Sequence, residues 1–400
     1  MIAPEPFFEP RGTPISVLQR LRALSSLGHT VDLVTYHVGE DVAIGGVTLH
    51  RIPRIPFVGR IKAGPSLVKL FLDGFLFWRA FGRLCRERYQ VIHTHEEAAF
   101  FGIVLSAIFR TRHVYDMHSS LPRQLENFGF GAIWPAVKLF EWLERAVLDT
   151  CDAVITVGED LEQVVRTINP GIPVQRIDNL AMTQDRDGYR ESPSLRELQE
   201  GFRRKGYLPI VYTGSFERYQ GLDMLMECAG IVVRSGAKVV FVLVGGKEDQ
   251  VRVLKLAARN QGLTEQIVFT GIVPPEKALA YLQSAEILVS PRIAGTSIPL
   301  KIYSYLHAGK AILATRVPAH SQVLNDEIAL LVDPTPQALA EGVLRLAGDP
   351  EVRRGLAQNS KDFARRRYDL AVYTSDLEAL YGDIFRPAPL VDAAVRPTEN

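Results

Sequence analysis

The sequence is poor in cysteine, and its three cysteines are far apart. Cys85, Cys151 and Cys228 form neither a disulfide framework nor a zinc-binding spacing, so we expect reduced thiols in a cytosolic protein. The chain also lacks a net charge of either sign, because 46 Lys and Arg residues offset 45 Asp and Glu residues to give a formal charge of +1. Without a global positive field, nucleic acid is not an expected partner.

Long apolar runs are absent as well. The longest, residues 98–109, has 12 residues, whereas a transmembrane helix needs roughly 20. The first residues, MIAPEPFFEP, have no basic start and no apolar run, so we expect no signal peptide. The chain has 400 residues, of which 47% are apolar and 23% are charged. This composition is typical of a globular protein, and the length favours two domains.

The most informative stretch is SPRIAGTSIPLKIYSYLHAGKAILAT at residues 290–315. It predicts a strand end, a loop of small and polar residues, a helix carrying Lys301, and a second strand. The helix should stop at Gly309, because a left-handed C-cap favours glycine. Backbone N–H groups at such a helix start favour anions. The loop adds hydroxyls and a cation, from Thr296, Ser297 and Arg292. We therefore expect a diphosphate site here.

Helices and strands alternate in both halves of the chain, as in doubly wound parallel sheets. The predicted fold class is α/β, with two Rossmann-like domains facing across a cleft. Ligands of such sheets bind at the carboxyl ends of the strands, and therefore in this cleft. The predicted parts are a first domain at 1–180, an irregular linker at 181–205, a second domain at 206–365, a final helix at 366–386 that packs back, and a disordered tail at 387–400.

The start of the chain leaves little room for the first strand. The loop at residues 9–13 should follow a buried strand, and only residues 1–3 remain to form it. Either this strand is very short, or the start site is clipped.

The motifs, in their order and spacing, resemble glycosyltransferase family 4. They are RGTPISVLQRLRALSSLGHTVDLVT, VIHTHEEAAFFG, VYDMHSS and CDAVITVGEDL in the first half, and PIVYTGSFERYQGLDMLMECA, FVLVGG, IVFTGIVPPEKALAYLQSAEILVSPR and PLKIYSYLHAGKAILAT in the second. The resemblance covers nearly the whole chain. It implies a GT-B hexosyltransferase that moves a sugar from a nucleotide diphosphate sugar to a glycan or lipid-linked acceptor, with retention and without an essential metal or cofactor. It also implies a role in cell-envelope polysaccharide or glycolipid synthesis.

The resemblance assigns roles to individual residues. Gly12 matches the family glycine that lies near the donor phosphate and the acceptor. His118 matches the histidine that faces the transferred sugar, although a lone histidine is more often structural. Gly214 and Lys301 match residues beside the donor diphosphate. Gly12 and His118 are therefore the predicted catalytic residues. The predicted donor-binding residues are Gly214, Ser215, Arg218, Arg292, Thr296, Ser297, Lys301 and Ser304.

Several positions depart from the family pattern. The family usually has an arginine where this chain has Ser215 and a lysine where it has Gln220. Its E-x7-E motif would fall at Thr296, or in the other register Gly295, and at Ser304. Arg218 and Arg292 could replace the missing cations because arginine binds phosphate bidentately, although Arg218 could equally be a solvated turn residue. The alternatives to a transferase are a non-catalytic nucleotide-sugar-binding scaffold subunit and a GT-B nucleotide-sugar epimerase.

Other polar motifs are weaker. One cluster is either acceptor-side lining or capping and solvated residues: His93, His95, Glu96 and Glu97. We interpret Asp116 as structural. The DRD sequence at residues 185–187 lies in the linker and does not predict a metal site, so no metal ligand is expected. Residues 245–247 (GGK) lack the P-loop spacing and predict a turn near the donor side.

The segment at residues 51–88 is strongly basic. It carries nine Lys or Arg and two acids, about +7, while the rest of the chain is about −6. In the predicted helix within it, the charged residues fall within roughly 120° of one face, and the remainder is apolar. They are Lys69, Asp73, Arg79 and Arg83. This pattern suits a membrane interface, and the alternative is a core-facing helix with basic edges. The predicted localisation is cytoplasmic, and the membrane-interface alternative places the protein peripherally on the inner membrane face.

Overall fold

The structure is a computed structural model of the whole chain. It describes residues 1–9, 12–56, 58–59, 61, 66–120, 122, 134–181 and 193–385. The DRD sequence at 185–187 and the predicted tail at 387–400 lie outside the described residues.

The first half of the chain forms a seven-stranded sheet in which every neighbouring pair is parallel. Its strands are β1 (Ile2–Ala3), β2 (Val31–Thr35), β3 (Val47–Arg51), β4 (Val91–His95), β5 (Arg112–Met117), β6 (Ala153–Thr156) and β7 (Val174–Arg176). The spatial order is β3-β2-β1-β4-β5-β6-β7. Its helices are α1 (Gly12–Ser26), α2 (Leu67–Leu84), α3 (Ala99–Phe109), α4 (Trp134–Thr150) and α5 (Glu159–Ile168).

The second half forms a six-stranded parallel sheet of the same type. Helix α6 (Pro193–Arg204) precedes it. The strands are β8 (Leu208–Thr213), β9 (Val239–Val244), β10 (Ile267–Gly271), β11 (Ile287–Ser290), β12 (Ala311–Thr315) and β13 (Leu330–Val332). Their order is β10-β9-β8-β11-β12-β13. The helices are α7 (Leu222–Arg234), α8 (Glu248–Asn260), α9 (Pro275–Ser284), α10 (Leu300–Ala308), α11 (Pro318–Ser321), α12 (Pro336–Gly348), α13 (Pro350–Arg367) and α14 (Leu370–Phe385). Two doubly wound α/β sheets confirm the predicted fold class.

The strand order fixes where a ligand can bind. In both sheets the chain runs outward from a central pair of strands, β1 and β4 in the first sheet and β8 and β11 in the second. The loops after two such strands diverge to opposite faces and leave a crevice between them. Gly12 and Glu96 follow the central strands of the first sheet, and Gly214 and Arg292 follow those of the second.

Burial explains the strand sequences. All six residues of β9, VVFVLV, are buried because helices cover both faces of the sheet. The first strand is only two residues long. Ile2 and Ala3 are nevertheless buried, and the strand pairs with β2 on one side and β4 on the other. These two residues are therefore enough to place the first strand in the middle of the sheet.

The structure differs from the sequence expectations in three details. The segment at 181–205, expected to be irregular, contains α6. Its proline at the first helical position and its strongly amphipathic sequence, PSLRELQEGFRR, favour a helix. The predicted final helix at 366–386 corresponds to α14, which begins at Leu370 because α13 ends at Arg367 and the side chain of Asp369 accepts a hydrogen bond from the Ala371 N–H (2.9 Å). The half-buried strands β3 and β7 were not predicted.

Helix α14 packs against the first sheet although it follows the second in sequence. Tyr373, Leu377 and Tyr381 are buried in the same core cluster as Val17 and Leu21 of α1. The end of the chain thus contributes to the core of the first sheet.

Candidate active site

A pocket of about 280 Å³ lies between the two sheets. Both halves of the chain line it: Gly12, Thr13, Ser16, Glu96, His118, Ser119, Ser120, Val157, Asp160, Leu161 and Asn179 from the first, and Thr296, Ser297, Ile298, Leu300 and Gln322 from the second. We call it the cleft pocket. Of the predicted site residues, it brings together Gly12, His118, Thr296 and Ser297.

Gly12 begins α1 at the edge of the cleft pocket. Its φ is +44°, a left-handed conformation that side chains rarely adopt, while an added Cβ would have no neighbour within 4 Å. The backbone conformation, rather than crowding, therefore favours glycine here.

His118 is held by a buried carboxylate. Its Nε2 lies 3.2 Å from Asp116 Oδ1 and 3.2 Å from His95 Nδ1. The Arg20 guanidinium donates to both oxygens of Asp116, at 2.8 and 3.3 Å. Burial alone would raise the pKa of Asp116, but Arg20, His118 and His95 together outweigh it, and the pKa lies well below its usual range. An ionised carboxylate only accepts hydrogen bonds, so Nε2 of His118 carries a proton, and in the neutral ring Nδ1 is the acceptor.

His93 and His95 extend this arrangement into the core. Their rings are stacked with centroids 4.9 Å apart, and the ring of His95 stacks on that of His118. Both are buried, and burial lowers the pKa of each. They do not line the cleft pocket, so neither acceptor-side lining nor solvated capping describes them.

The same group brings metal-type donor atoms together. Among the described residues, His93, His95 and Asp116 place such atoms within 4.8 Å of one another. The Arg20 charge already neutralises the carboxylate and opposes a second cation there. We therefore interpret the group as an ionic hydrogen-bonded cluster that orients His118.

Within the predicted cluster of His93, His95, Glu96 and Glu97, Glu96 is the residue described as lining the cleft pocket. It follows β4, adopts a φ of +47° although it is not glycine, and lines the cleft pocket. The Ser119 hydroxyl donates to its Oε2 at 2.8 Å. Burial raises the pKa of Glu96 to about 6. Strained backbone and a perturbed pKa are both common at functional sites. In the sequence, the feature that marks Glu96 as a cleft residue is its position directly after the central strand β4.

Lys301, near the start of α10, is a cation for which the described residues provide no acidic partner. Its ammonium donates to Gln220 Oε1 at 2.9 Å and lies 4.0 Å from the centroid of the Tyr212 ring. Burial lowers its pKa well below the usual value, and the Arg292 charge adds to this effect. Gln220, which replaces a family lysine, is thus a hydrogen-bond partner of Lys301.

Arg292 shapes the loop that follows β11. Its guanidinium donates to the carbonyl oxygens of Ala294 (2.7 Å) and Ser297 (3.1 Å) and lies over the Tyr219 ring. Among the described residues, no acidic side chain pairs with Arg292 or Lys301. Two buried cations without counter-charges are costly in the empty protein, which makes their surroundings suited to an anion.

Three glycines pack the donor-side loops against one another. A Cβ on Gly221 would lie 1.9 Å from the Pro291 carbonyl oxygen, and one on Gly245 would lie 2.0 Å from that of Gly214. At Gly214 a Cβ would lie 3.4 Å from Lys301 Nζ, and its φ is +141°. Gly245 belongs to the turn predicted near the donor side, and the structure places it directly against Gly214.

The remaining predicted donor residues are less close to this centre. Ser215 is exposed, and its carbonyl oxygen accepts from the Tyr212 hydroxyl at 2.6 Å. Arg218 is exposed and lines a separate surface pocket between α7 and α8. Ser304 is buried on α10 and does not line the cleft pocket. The structure therefore does not bring Arg218 or Ser304 together with His118.

Helix α2 presents an apolar face rather than a basic one. Leu67 is 84% exposed and Trp78 is 67% exposed. Its charged residues mostly turn inward: Lys69 pairs with Glu97, Asp73 accepts from Tyr36, and Arg83 pairs with Asp32. The predicted charged face exists, but it packs on the first sheet and only Arg79 is exposed.

Neighbouring helices enlarge this apolar face. Helix α3 packs between α2 and α4. Together the three helices form what we call the apolar surface, with exposed Leu67, Leu70, Phe71, Trp78, Val104, Ile108, Leu139 and Trp142. Helix α2 thus buries one face in the core, with Leu72, Leu76 and Ala80, and exposes another apolar face. In the part of the chain that the structure describes, no helix is both long and apolar enough to cross a membrane.

Comparison with known proteins gives matches over both halves. The family described as Glycosyltransferase Family 4 matches residues 10–179, and Glycosyl transferases group 1 matches residues 208–349. The chain is 25% identical over 363 residues to alpha-D-kanosaminyltransferase of Streptomyces kanamyceticus, covering 87% of this chain and 92% of the relative. It is 24% identical over 394 residues to phosphatidyl-myo-inositol mannosyltransferase of Mycobacterium tuberculosis, covering 95% of each. Sucrose-phosphate synthase from Thermosynechococcus elongatus shares the fold, with a TM-score of 0.71, 19% identity, and coverage of 96% of this chain and 98% of that one.

Proposed function

The chain belongs to glycosyltransferase family 4, and on that premise we propose that it transfers a sugar from a nucleotide diphosphate sugar to a glycan or lipid-linked acceptor, with retention and without a metal. The donor would lie on the second sheet and the acceptor on the first, with the reacting atoms in the cleft pocket.

The observation that carries this proposal is a pair of cations, Lys301 beside Gly214 and the buried Arg292, whose charge acts on Lys301. As the sugar–phosphate bond breaks, negative charge develops on the departing nucleoside diphosphate and must be stabilised. Lys301 and Arg292 provide positive charge without acidic partners, and the backbone at Gly214 leaves room next to the ammonium. Thr296 and Ser297, which lie between Arg292 and Lys301 in sequence, line the cleft pocket together with His118.

On the acceptor side, His118 is oriented rather than free. The Asp116 carboxylate fixes which ring nitrogen carries the proton, which leaves Nδ1 to accept a hydrogen bond from a sugar hydroxyl. Hydroxyl and amide groups surround it, from Thr13, Ser119 and Asn179. A lining of this kind suits a polyhydroxylated ligand, and the names of both reported relatives describe glycosyl transfer.

We also propose that the apolar surface contacts a membrane, which would bring the cleft to a lipid-linked acceptor in cell-envelope synthesis. Phe71 and Trp78 lie on its exposed face, and exposed Arg79 and Lys138 border it. Adjoining exposed apolar side chains often mark a surface that contacts a membrane or another protein. Apolar side chains bordered by cations favour an anionic lipid surface.

A thermal-shift screen tests the donor site. The purified chain would be heated with UDP, GDP, ADP, TDP and their sugars, with and without magnesium. A ligand at 100 times its Kd should stabilise the fold by about 2.7 kcal/mol. We expect one base to give a shift that does not depend on magnesium. No shift with any nucleotide would contradict the proposal, and binding without transfer would favour a scaffold subunit.

A further inference from the structure

The last helix of the chain brings a tyrosine hydroxyl to the histidine cluster of the first sheet. The hydroxyl of Tyr381, on α14, lies 2.7 Å from Nδ1 of His93, which is 288 positions earlier in the chain. Both residues are buried, so the contact lies in the protein interior. His93 also contacts Asp116, the carboxylate that holds His118. The end of the chain is therefore hydrogen-bonded to the group that orients His118.

The charge of Asp116 fixes the direction of these hydrogen bonds. Its pKa lies well below the usual range, so the carboxylate is ionised and can only accept. Nε2 of His93, 3.2 Å from Asp116 Oδ2, therefore donates. Burial lowers the pKa of His93 and keeps the ring neutral, which leaves Nδ1 as an acceptor. Burial also raises the pKa of Tyr381, so its hydroxyl keeps its proton and donates to Nδ1 of His93.

We propose that Tyr381 is a positioning residue for His118 and acts through His93 and Asp116, an inference that rests on the proposed function. Tyr381 donates to His93, and His93 donates to Asp116 Oδ2. Nε2 of His118 donates to the other oxygen of the same carboxylate, Oδ1. Three hydrogen bonds thus connect α14 to a side chain that lines the cleft pocket.

The contacts of Asp116 explain why a change at Tyr381 should reach the cleft. Arg20 donates to both carboxylate oxygens, while His93 and His118 each donate to one of them. Without the Tyr381 hydroxyl, Nδ1 of His93 would be a buried acceptor without its donor, which is unfavourable. A turn of the His93 ring toward another donor would move its Nε2 away from Asp116. The carboxylate would then shift, and with it the direction in which His118 Nδ1 points into the cleft.

The packing around Tyr381 allows its hydroxyl to be tested by itself. Its ring is stacked on that of His93, with centroids 6.3 Å apart, and it contacts the ring of His29 at 5.5 Å. Leu377 and Ile384 of the same helix are buried in the same core cluster. Phenylalanine keeps these ring contacts, so Tyr381→Phe removes the hydrogen bond and little else.

The test measures sugar transfer by Tyr381→Phe in the full chain. The donor is the nucleotide sugar chosen by the thermal-shift screen, and the acceptors are methyl glycosides, myo-inositol and phosphatidylinositol vesicles. We expect kcat to fall about 10-fold, which corresponds to one interior hydrogen bond. The Kd of the nucleoside diphosphate should change less than about twofold, because Tyr381 acts on the first sheet and Lys301 lies on the second. Equal kcat for wild type and Tyr381→Phe would overturn the inference.

Tyr36→Phe is the matched control. Tyr36 is also a buried tyrosine of the first half of the chain, and its hydroxyl donates to Asp73 Oδ1 at 2.5 Å. The control variant loses an interior hydrogen bond of the same kind, outside the histidine cluster. We expect a lower Tm and a kcat near that of the wild type. A loss of kcat as large as in Tyr381→Phe would make the effect one of general stability and overturn the inference.

Variants at His93 separate positioning from folding. His93→Phe keeps an aromatic ring and removes both hydrogen bonds of the imidazole, so kcat should fall at least as far as in Tyr381→Phe. In the His93→Phe background, Tyr381→Phe should lower kcat no further, because residues that act in one network are not additive. A second 10-fold loss in that background would overturn the route through His93. Wild-type kcat in His93→Phe would overturn the inference even if Tyr381→Phe did not fold.

The proposed function and this inference fail on different results. A wild-type chain that binds nucleotides and transfers to no acceptor would overturn both. Transfer at the same kcat by the wild type and by Tyr381→Phe would overturn the positioning role alone.

Discussion

Replacing Lys301 with methionine should have opposite effects on stability and on donor binding. The ammonium is largely buried, has one hydrogen bond to Gln220 and lies over the Tyr212 ring. If Lys301 serves to bind a diphosphate, the burial of its ammonium lowers the stability of the protein when no ligand is bound. The Lys301→Met protein should then be slightly more stable than the wild type and should bind nucleotide diphosphates much more weakly.

The magnitude follows from three contributions. Burying an ammonium without a counter-charge costs about 4 kcal/mol, which the variant recovers. Leaving Gln220 Oε1 without its donor costs about 2 kcal/mol. Losing the cation–π contact with Tyr212 costs about 1 kcal/mol. The net result is about 1 kcal/mol of added stability, or about 3 °C in Tm. Losing a charge-assisted contact to phosphate should weaken binding roughly 100-fold.

Stability should also depend on pH through this residue. The pKa of Lys301 is lower in the folded chain than its usual 10.5, so the unfolded chain binds more protons between the two values. The free energy of unfolding therefore rises with pH across that window. Lys301→Met should remove this rise, and its added stability should be largest below the lowered pKa.

Differential scanning calorimetry with and without the nucleoside diphosphate measures both effects. Lys247→Met is the matched control, because Lys247 is exposed on a neighbouring loop, 3.8 Å from Glu217. It should change neither Tm nor affinity appreciably. A Lys301→Met protein that is destabilised by several kcal/mol yet binds nucleotide normally would refute the reasoning and make Lys301 a structural residue.

Further variants test other parts of the account. Asp116→Asn should lower kcat more than it changes the donor KM, because His118 loses the carboxylate that fixes its protonated nitrogen; an unchanged kcat would contradict this. Gly221→Ala should destabilise the fold by roughly 2 kcal/mol or more, since the new Cβ would lie 1.9 Å from the Pro291 oxygen; a calorimetric Tm equal to wild type would argue against that packing. Phe71→Glu should reduce sedimentation with anionic liposomes, and equal sedimentation would remove the membrane proposal.

The liposome experiment has a matched control in the second half of the chain. Val253 is 66% exposed on α8, away from the apolar surface. Val253→Glu adds the same charge at an exposed apolar position. Val253→Glu should leave liposome binding unchanged. The comparison separates the effect of the position of the new charge from the effect of the change in net charge.

The sequence predicts the fold well because its signals are local. Apolar runs such as β9 and the glycine after α10 are visible in a few residues. The structure has a fully buried strand at β9 and confirms the predicted helix end at Gly309. The edge strands β3 and β7 escape prediction because their residues are only half-buried and so lack an apolar pattern. A two-residue strand such as β1 carries no periodicity at all.

The site is harder to predict from the sequence than the fold, because its contacts join distant parts of the chain. Arg20 and Asp116 are 96 residues apart, and nothing local indicates that they pair. The charge pattern of α2 shows that its two faces differ but not which one faces the core. Asp73 turns inward because the Tyr36 hydroxyl is there to donate to it. Glu96 and Glu97 are adjacent carboxylates that the sequence does not distinguish. The left-handed backbone at Glu96 directs the two side chains differently, so that Glu96 lines the cleft pocket and Glu97 pairs with Lys69.

The most direct measurement is a transfer assay with the wild-type chain, the selected nucleotide sugar and the acceptor panel, followed by nuclear magnetic resonance. It records nucleoside diphosphate release together with the anomeric configuration of any new glycoside. We predict release that depends on the acceptor, in step with a glycoside that keeps the donor configuration, in the presence of a chelator. A nucleotide sugar that stays intact with every acceptor, or is converted to another nucleotide sugar without one, would contradict the assignment as a transferase.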